Sequence, residues 1–227
     1  PEVRVARMDW DTTRGKWAFD KLINSFATQE VKILVGTQMI VKGLDFKNVH
    51  LVGVLNADHL INFPDFRAHE RTYQMLSQVA GRAGRKELRG KVLIQTYRPN
   101  HPIIKQVIEA NYDQMLKQQL EERKEYHYPP YSRLIKIVVN HSDMEKVKKA
   151  SHWIANVLLQ SDYAQILGPV FPSIARLKNR YRMQILVKIA NDQSRDHVKK
   201  IIKRTLDSFE SIAVFRSCKV ILDVDPY

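Results

Sequence analysis

The stretch Gln78-Val-Ala-Gly-Arg-Ala-Gly-Arg85 carries two arginines three residues apart, each preceded by a glycine. The guanidinium groups of Arg82 and Arg85 stay protonated in proteins, and their planar forks match phosphate oxygens in a bidentate way. Because glycine lets a ligand approach the backbone closely, the stretch predicts a site for the terminal phosphates of a nucleotide, at the start of a helix. Taken alone, the pattern fits a solvent-exposed basic turn equally well.

Short apolar runs alternate with helical patterns on either side of this stretch. Each run is bounded by polar or glycine residues and is too short for a helix, as a buried strand is. The runs occupy residues 31–35, 49–55 and 91–96, and the helical patterns occupy residues 18–26, 70–76 and 102–125. This alternation predicts a parallel sheet flanked by helices, the doubly wound α/β type.

Ligands of such sheets bind beyond the carboxyl ends of the strands. Residues 37–45, Asp58 and the arginine stretch each lie just past a predicted strand or on the following helix. We therefore expect them to converge on one edge of the sheet. Thr12 or Thr13 is predicted to cap the first helix.

The second half of the chain predicts a separate domain. Tyr126-His-Tyr-Pro-Pro-Tyr131 marks the break, because paired prolines end a helix and force an extended path. A capping box at residues 142–145 opens one later helix, and another starts near Asp192. Strand patterns occupy residues 133–140, 165–170, 174–177, 182–189 and 219–224. The resulting β-α-β-β-α-β order is the ferredoxin-like split pattern of α+β domains. The predicted limits are 1–110 for the α/β part, 111–131 for a connecting helix and linker, and 132–227 for the last domain.

Composition restricts the class of partner. The chain has 227 residues, a formal charge of +13 and a pI near 9.8, which favours a polyanion such as nucleic acid.

Cys218 is the single cysteine, which excludes a disulfide framework within the chain and a cysteine-rich zinc site. The sequence contains no run of 18 apolar residues, so no membrane span is predicted. Because it begins with Pro1 inside a strand-like pattern, we expect a fragment of a longer protein.

The residues around the arginines have complementary chemistry. Thr37 follows a glycine and offers a hydroxyl and a backbone N–H to a phosphate. Gly43 permits close backbone approach, and the carboxylate of Asp45 is placed to accept hydrogen bonds from ribose hydroxyls, although alone it fits a turn equally well. Arg82 and Arg85 are then expected to contact the β- and γ-phosphates in the manner of an arginine finger.

With these residues in place, the chain resembles a known family. The stretch GTQMIVKGLDF resembles motif V of superfamily-two helicases, and QVAGRAGR resembles motif VI. The segments NAD, PDFRAHER, YPPY and DVDP narrow the resemblance to the bacterial primosomal replication-restart helicases, the PriA family. It extends over nearly the whole chain and implies a partial RecA-like helicase lobe two followed by the C-terminal domain of that family.

The resemblance implies a cytoplasmic, nucleoid-associated 3′-to-5′ DNA helicase that uses ATP and Mg²⁺ at stalled forks. It implies that Gln78, Arg82 and Arg85 couple ATP to strand movement, with Arg85 the first choice for the finger. The nucleotide would be contacted by Gly43 and Asp45. The residues implied in DNA contact near motif V are Thr37, Gln38 and Lys42.

Two basic patterns occur in the second domain. The predicted hairpin carries cations at every second residue. This pattern predicts a basic strand edge for single-stranded or branched DNA, with Tyr181 stacking on a base; the alternative is an ordinary charged hairpin tip. Its cations are Arg176, Lys178, Arg180 and Arg182. The last helix carries a stripe that fits DNA or the acidic tail of single-stranded-DNA-binding protein, a partner the resemblance suggests, or simply a solvated face. The stripe consists of Arg195, Lys199 and Lys203.

Some family features do not occur in this sequence. It contains no GxxxxGK[ST] stretch, no DExH-like acidic pair and no cysteine cluster for the zinc expected in full-length family members. We therefore expect no ATP hydrolysis by this polypeptide alone. Two functions remain open at this point: a motor part that is catalytic only with helicase lobe one, and a stand-alone module that binds DNA or primosome proteins.

Overall fold

The computed structural model describes residues 3–15, 17–37, 49–81, 83 and 90–226. The chain divides into two compact units, Pro1–Gln119 and Leu120–Tyr227. In the ranges described, no helix combines the length and the apolar character needed to cross a bilayer.

The first unit pairs its strands in parallel, as the alternating pattern predicted. Strand β1 pairs with β2, and β3 pairs with β4. A core of apolar side chains, including Leu76, Ile103 and Met115, packs the later helices together. The elements as far as Glu125 are β1 (Val5–Met8), α1 (Ala18–Ala27), β2 (Ile33–Gly36), β3 (Leu51–Val54), α2 (Asp58–Ile61), α3 (Ala68–Ala80), β4 (Lys91–Ile94), α4 (Pro102–Ile108) and α5 (Tyr112–Glu125), and the last residues of α5 belong to the second unit.

The predicted cap of α1 is wrong. The helix begins at Ala18 behind Trp17, which makes no capping hydrogen bond through its side chain. Both threonines contact Asp9 instead. The hydroxyl of Thr13 donates to the backbone carbonyl oxygen of Asp9 at 2.7 Å, and the N–H of Thr12 donates to the carboxylate of Asp9 at 2.9 Å. These residues form a local turn before the helix, as short hydroxyl and carboxylate side chains often do.

The single helix predicted over residues 102–125 is two helices. The chain breaks at Ala110, whose φ is 52°. The N–H of Ala110 donates to the carbonyl of Val107, and the N–H of Asn111 donates to that of Gln106. This is the hydrogen-bond pattern of a Schellman motif, which usually places glycine at the left-handed position. Because alanine is the best helix former, Ala110 is no local signal of the break.

The second unit has the predicted ferredoxin-like topology. Its antiparallel sheet has the order β6-β8-β5-β9, with β7 paired to β8. The helices cover one face, where Ile137, Ile154, Ile185, Ile202 and Phe209 are among the buried core residues. The elements are β5 (Ser132–His141), α6 (Met144–Leu159), β6 (Gln165–Val170), β7 (Arg176–Leu177), β8 (Arg180–Ala190), α7 (Arg195–Ser211) and β9 (Lys219–Val224).

Both helices of this unit have side-chain caps, one residue or a few residues beyond the predicted starts. Asp143 rather than Ser142 caps α6, because its carboxylate accepts the N–H groups of Glu145 and Lys146. Ser194 caps α7 by accepting the N–H of His197, so this helix begins after the position predicted at Asp192. In both cases a nearby polar residue has the extended backbone that a cap requires.

Candidate nucleic-acid interface

Strand β7 turns directly into β8 through a loop of two residues, Lys178 and Asn179, with φ angles of 48° and 58°. Positive φ at both positions is the geometry of a type I′ turn, whose twist matches that of a two-stranded ribbon. Asparagine adopts this conformation readily, whereas for lysine the left-handed region costs about 1–2 kcal/mol. The turn therefore holds a cation at the hairpin tip despite local backbone strain.

The register of the hairpin distributes the cations over both faces of the ribbon. Arg176 lies opposite Tyr181, and Leu177 lies opposite Arg180. Directly opposed residues share a face while neighbours alternate, so Arg176 lies on one face and Arg180 and Arg182 lie on the other. A two-residue loop pairs even-numbered positions with odd-numbered ones, so the cations of the predicted basic edge are divided between the two faces of the ribbon.

On the first of these faces, the guanidinium carbon of Arg176 lies 5.1 Å from the centroid of the Tyr181 ring. That distance is within the range of a cation–π contact. Arg176 is exposed and Tyr181 is half-buried. The pair thus combines a positive charge with an aromatic surface that water still reaches, the two components with which proteins contact a phosphate and its adjacent base.

On the other face, the sheet register adds a cation that sequence reasoning missed. Asn140 on β5 lies opposite Arg182 on β8 and opposite Lys219 on β9. Ile137 and Val139 belong to the core under the helices, so Asn140, one residue beyond Val139, points to the face of the sheet opposite the helices, where it is 7% exposed. Lys219 is exposed and shares that face with Arg182. No local pattern links residues 37 positions apart; only strand pairing does.

The electrostatic surroundings of Cys218 identify more charge at this end of the sheet. Burial raises the pKa of the half-buried Cys218 thiol above its ordinary value, and the charge of Asp143 acts in the same direction. Lys146 and Arg180 oppose the shift, so both cations lie near the start of β9. The thiol is held in its neutral form, which makes a packing role more suitable for it than a nucleophilic one.

The predicted stripe on the last helix lies on a single helix, α7. Arg195, Lys199 and Lys203 are exposed, while Val198 and Ile202 on the opposite side are buried. Among the residues that the structure describes, neither Arg195 nor Lys199 makes an ion pair. This geometry provides a line of free cations and equally fits the solvated side of an amphipathic helix.

Two of the predicted nucleotide and DNA residues near the arginine stretch are described, and both are exposed. Thr37 directly follows β2, and Gln78 lies in the last turn of α3. The arginine stretch therefore begins at the end of a helix, and the prediction that it starts one is wrong for its described part. The predicted residues that lie outside the described ranges are Gln38, Lys42, Gly43, Asp45, Arg82 and Arg85.

The carboxylate of Asp58 is hydrogen-bonded to the neighbouring strand exit and has a structural role. Its oxygens accept the N–H of Tyr97 at 2.9 Å and the hydroxyl of Thr96 at 3.0 Å. The backbone N–H of Tyr97 is the main cause that lowers the pKa of Asp58 below its ordinary value, and Thr96 and Arg98 act in the same direction. Asp58 thus ties the exit of β3 to the exit of β4.

Comparison with protein families assigns each half of the chain. Residues 124–227 match the model of the primosomal protein N C-terminal domain. Residues 3–87 match the model of the helicase conserved C-terminal domain. Replication restart protein PriA of Bacillus subtilis is 41% identical over 229 residues, an alignment that covers all of this chain and 28% of that protein. The chain belongs to the PriA family.

Other PriA proteins show the same relation. The protein of Synechocystis is 46% identical over 191 residues, covering 83% of this chain and 23% of its own length. The protein of Chlamydia pneumoniae is 35% identical over 228 residues, covering all of this chain and 30% of its own length. The chain thus spans less than a third of each of these PriA proteins, and it contains a helicase C-terminal domain followed by the PriA C-terminal domain.

Proposed function

We propose that this chain is the lobe-two and C-terminal part of an ATP-dependent 3′-to-5′ DNA helicase that acts in replication restart and primosome assembly at stalled forks. Its membership of the PriA family and its helicase C-terminal domain support the proposal. The observation that carries it is the cationic end of the second unit, where the strained Lys178 turn, the Arg176–Tyr181 pair and the Arg182–Asn140–Lys219 row lie at one end of the sheet.

For the nucleotide, we propose that Arg82 and Arg85 contact the terminal phosphates, with Arg85 as the finger. Gln78 would act beside them, and Gly43 and Asp45 would contact the nucleotide from motif V. ATP and Mg²⁺ would be held mainly by a first helicase lobe outside this chain. The described residues include no group of three His, Cys, Asp or Glu side chains that could hold a metal ion. The contribution proposed for the chain to ATP hydrolysis is therefore positive charge at the phosphates and positioning of the nucleotide.

For DNA, we propose that Arg180, Arg182 and Lys219 contact phosphates on the face of the sheet opposite the helices. Tyr181 and Arg176 would contact a base and its phosphate on the other face. Lys178, at the hairpin tip, would contact the DNA strand. Cations that neutralise phosphates release condensed counterions, so this mode of binding is strongly dependent on salt. Near motif V in the first unit, Thr37, Gln38 and Lys42 are proposed to contact a DNA backbone.

For a protein partner, we propose that Arg195 and Lys199 on α7 bind the acidic tail of single-stranded-DNA-binding protein. Their exposure, and the absence of an ion-pair partner for either within the described ranges, support the proposal. Substituting Arg195 by glutamate should abolish the binding of a synthetic acidic tail peptide, measured by fluorescence anisotropy, and leave the binding of an uncharged peptide of the same length unaffected.

A second candidate function is a stand-alone module that binds DNA or single-stranded-DNA-binding protein without motor activity. The observation that favours it is that the described cations with a proposed binding role are concentrated in the second unit, on the hairpin, β9 and α7. The two functions differ in one property: only the motor part should restore ATP-dependent unwinding when a separately produced helicase lobe one is added.

DNA binding is tested by anisotropy with a labelled single strand at low and high salt. We expect the Arg180→Ala, Lys219→Ala double variant to bind several-fold more weakly and to lose about 0.7 in salt slope per lost contact. Lys178→Asn should relieve the turn, raise the free energy of unfolding by about 1 kcal/mol and still weaken binding. The matched control is Lys148→Ala, which removes a cation that is paired with Glu145 at 2.8 Å.

A loss in the single-charge control that is half the loss in the two-charge double variant would mean that only net charge matters, which contradicts the assigned surface. Salt-independent binding by the wild-type chain would contradict the phosphate contacts altogether.

A further inference from the structure

One aromatic side chain of the first unit belongs to a residue whose backbone is hydrogen-bonded to a neighbouring strand exit, and yet the side chain is almost entirely exposed. Tyr97 follows β4 and is 93% exposed. In the described part of the chain, no ring or cation lies against its side chain. An aromatic ring presented to water in this way buries no apolar area within its own unit, so its position is not explained by packing.

The backbone beneath Tyr97 is fixed by hydrogen bonds. The carboxylate of Asp58 accepts its N–H, and the hydroxyl of Thr96, which itself donates to Asp58, accepts the N–H of Arg98 at 3.0 Å. The strand ladder continues to this point, because the N–H of Ala57 donates to the carbonyl of Gln95 at 2.9 Å. The exits of both strands are thus bound to each other directly below the ring.

The surroundings of the ring have the chemistry of a nucleic-acid contact. Tyr97 lies at the carboxyl edge of the parallel pair β3–β4, the edge at which α/β sheets bind ligands. Arg98 is exposed beside it and makes no ion pair among the described residues. Leu55, at the exit of β3, is 76% exposed and adds apolar surface. The carboxylate of Asp58 is engaged by its hydrogen bonds.

We propose that Tyr97 is a stacking platform for an unpaired base of single-stranded DNA, with Arg98 contacting an adjacent phosphate. The proposal rests on the proposed function, since it assigns a second DNA contact to the same protein, in the other unit. A single strand is favoured over a duplex because only unpaired bases expose the π-face that an isolated tyrosine ring contacts, and such stacking tolerates every base.

The test compares binding of a short oligothymidylate with binding of the same oligonucleotide carrying abasic sites. We expect Tyr97→Ala to bind the thymidylate about tenfold more weakly, and Tyr97→Phe to bind it within about twofold of wild type. On the abasic strand, Tyr97→Ala and wild type should bind equally. Asp58→Asn, which weakens the support of the ring without removing it, should give an intermediate loss. The matched control is Tyr126→Ala, a tyrosine that is 58% exposed in the second unit.

Wild-type affinity in Tyr97→Ala would overturn the platform, including the case in which a protein partner covers the ring. An equal loss on the abasic strand would overturn it too, because stacking requires a base. If either result appears while the Arg180→Ala, Lys219→Ala variant still weakens binding, the platform is wrong and the proposed function stands. If wild type binds no single strand, both are wrong. Circular dichroism of each variant confirms that it is folded.

Discussion

At the scale of single residues, Lys188 is a buried cation without a buried anion. It is 5% exposed, its Nζ donates to the carbonyl of Tyr126 at 2.7 Å, and it lies 3.6 Å from the centroid of the Tyr128 ring. No carboxylate in the described ranges lies within ion-pair distance of it. Burial lowers the pKa of Lys188 below its ordinary value of 10.5. The lysine therefore attaches the Tyr126–Tyr131 segment to the sheet with its charge only partly compensated.

This arrangement predicts a pH dependence of stability. The unfolded chain keeps the ordinary pKa of 10.5 while the folded pKa is lower, so between the two the unfolded state binds more protons. The free energy of unfolding of wild type, relative to Lys188→Met, should therefore rise as the pH is raised from neutral towards 10.5. Urea unfolding across that range measures it. Lys149→Met, at an exposed lysine of α6, is the control. A difference that stays constant or shrinks with pH would contradict the prediction.

At the scale of elements, β6 changes register between Leu167 and Val170, and Gly168 makes this possible. Its φ is 98°, and a Cβ placed there would lie 2.8 Å from the carbonyl oxygen of Gln184 and 3.1 Å from the nitrogen of Val170. Backbone atoms of a paired strand have little freedom to move away. The glycine is therefore required both by the dihedral angle and by the close approach of β8.

Substitution of Gly168 by alanine is predicted to lower the free energy of unfolding of the second unit by about 1–3 kcal/mol. Gly53→Ala on β3 is the matched control, because a Cβ there would meet no atom within 4 Å. The control should be neutral or slightly stabilising, since alanine reduces the freedom of the unfolded chain. Urea or thermal unfolding of both variants measures the two changes in the free energy of unfolding. Equal changes would mean that the close approach of Gly168 to β8 does not restrict the residue at this position.

Helix ends show why the starts of α6 and α7 could be predicted from the sequence and the break between α4 and α5 could not. Asp143 and Ser194 lie near the predicted helix starts, because capping residues are a local signal of side-chain chemistry. The break at Ala110 has no such signal. His127, at the end of α5, also has a positive φ without being glycine. Where tertiary packing fixes the direction of the next element, a left-handed residue is tolerated even if its side chain disfavours it.

At the scale of the whole molecule, the motor role depends on residues that must act together. The sequence contains no GxxxxGK[ST] stretch, whose lysine and hydroxyl hold the phosphates and Mg²⁺ in P-loop enzymes. The purified chain is therefore expected to release no phosphate from ATP, with or without single-stranded DNA, in a coupled phosphate assay. DNA-stimulated release that disappears in Arg85→Ala would contradict this expectation. Release that persists in Arg85→Ala would point to a contaminating enzyme.

The order of elements, the ferredoxin-like topology and the family can be read from the sequence, since they depend on local periodicity, proline breaks and contiguous motifs. The strands Gln165–Val170 and Lys219–Val224 have the predicted limits for that reason. Which cations share a face depends on strand pairing, because Arg182 and Lys219 become neighbours through Asn140 and the register of three strands. The tertiary structure also decides the burial of Lys188 and the exposure of Tyr97. Both depend on contacts between distant residues, which no local pattern encodes.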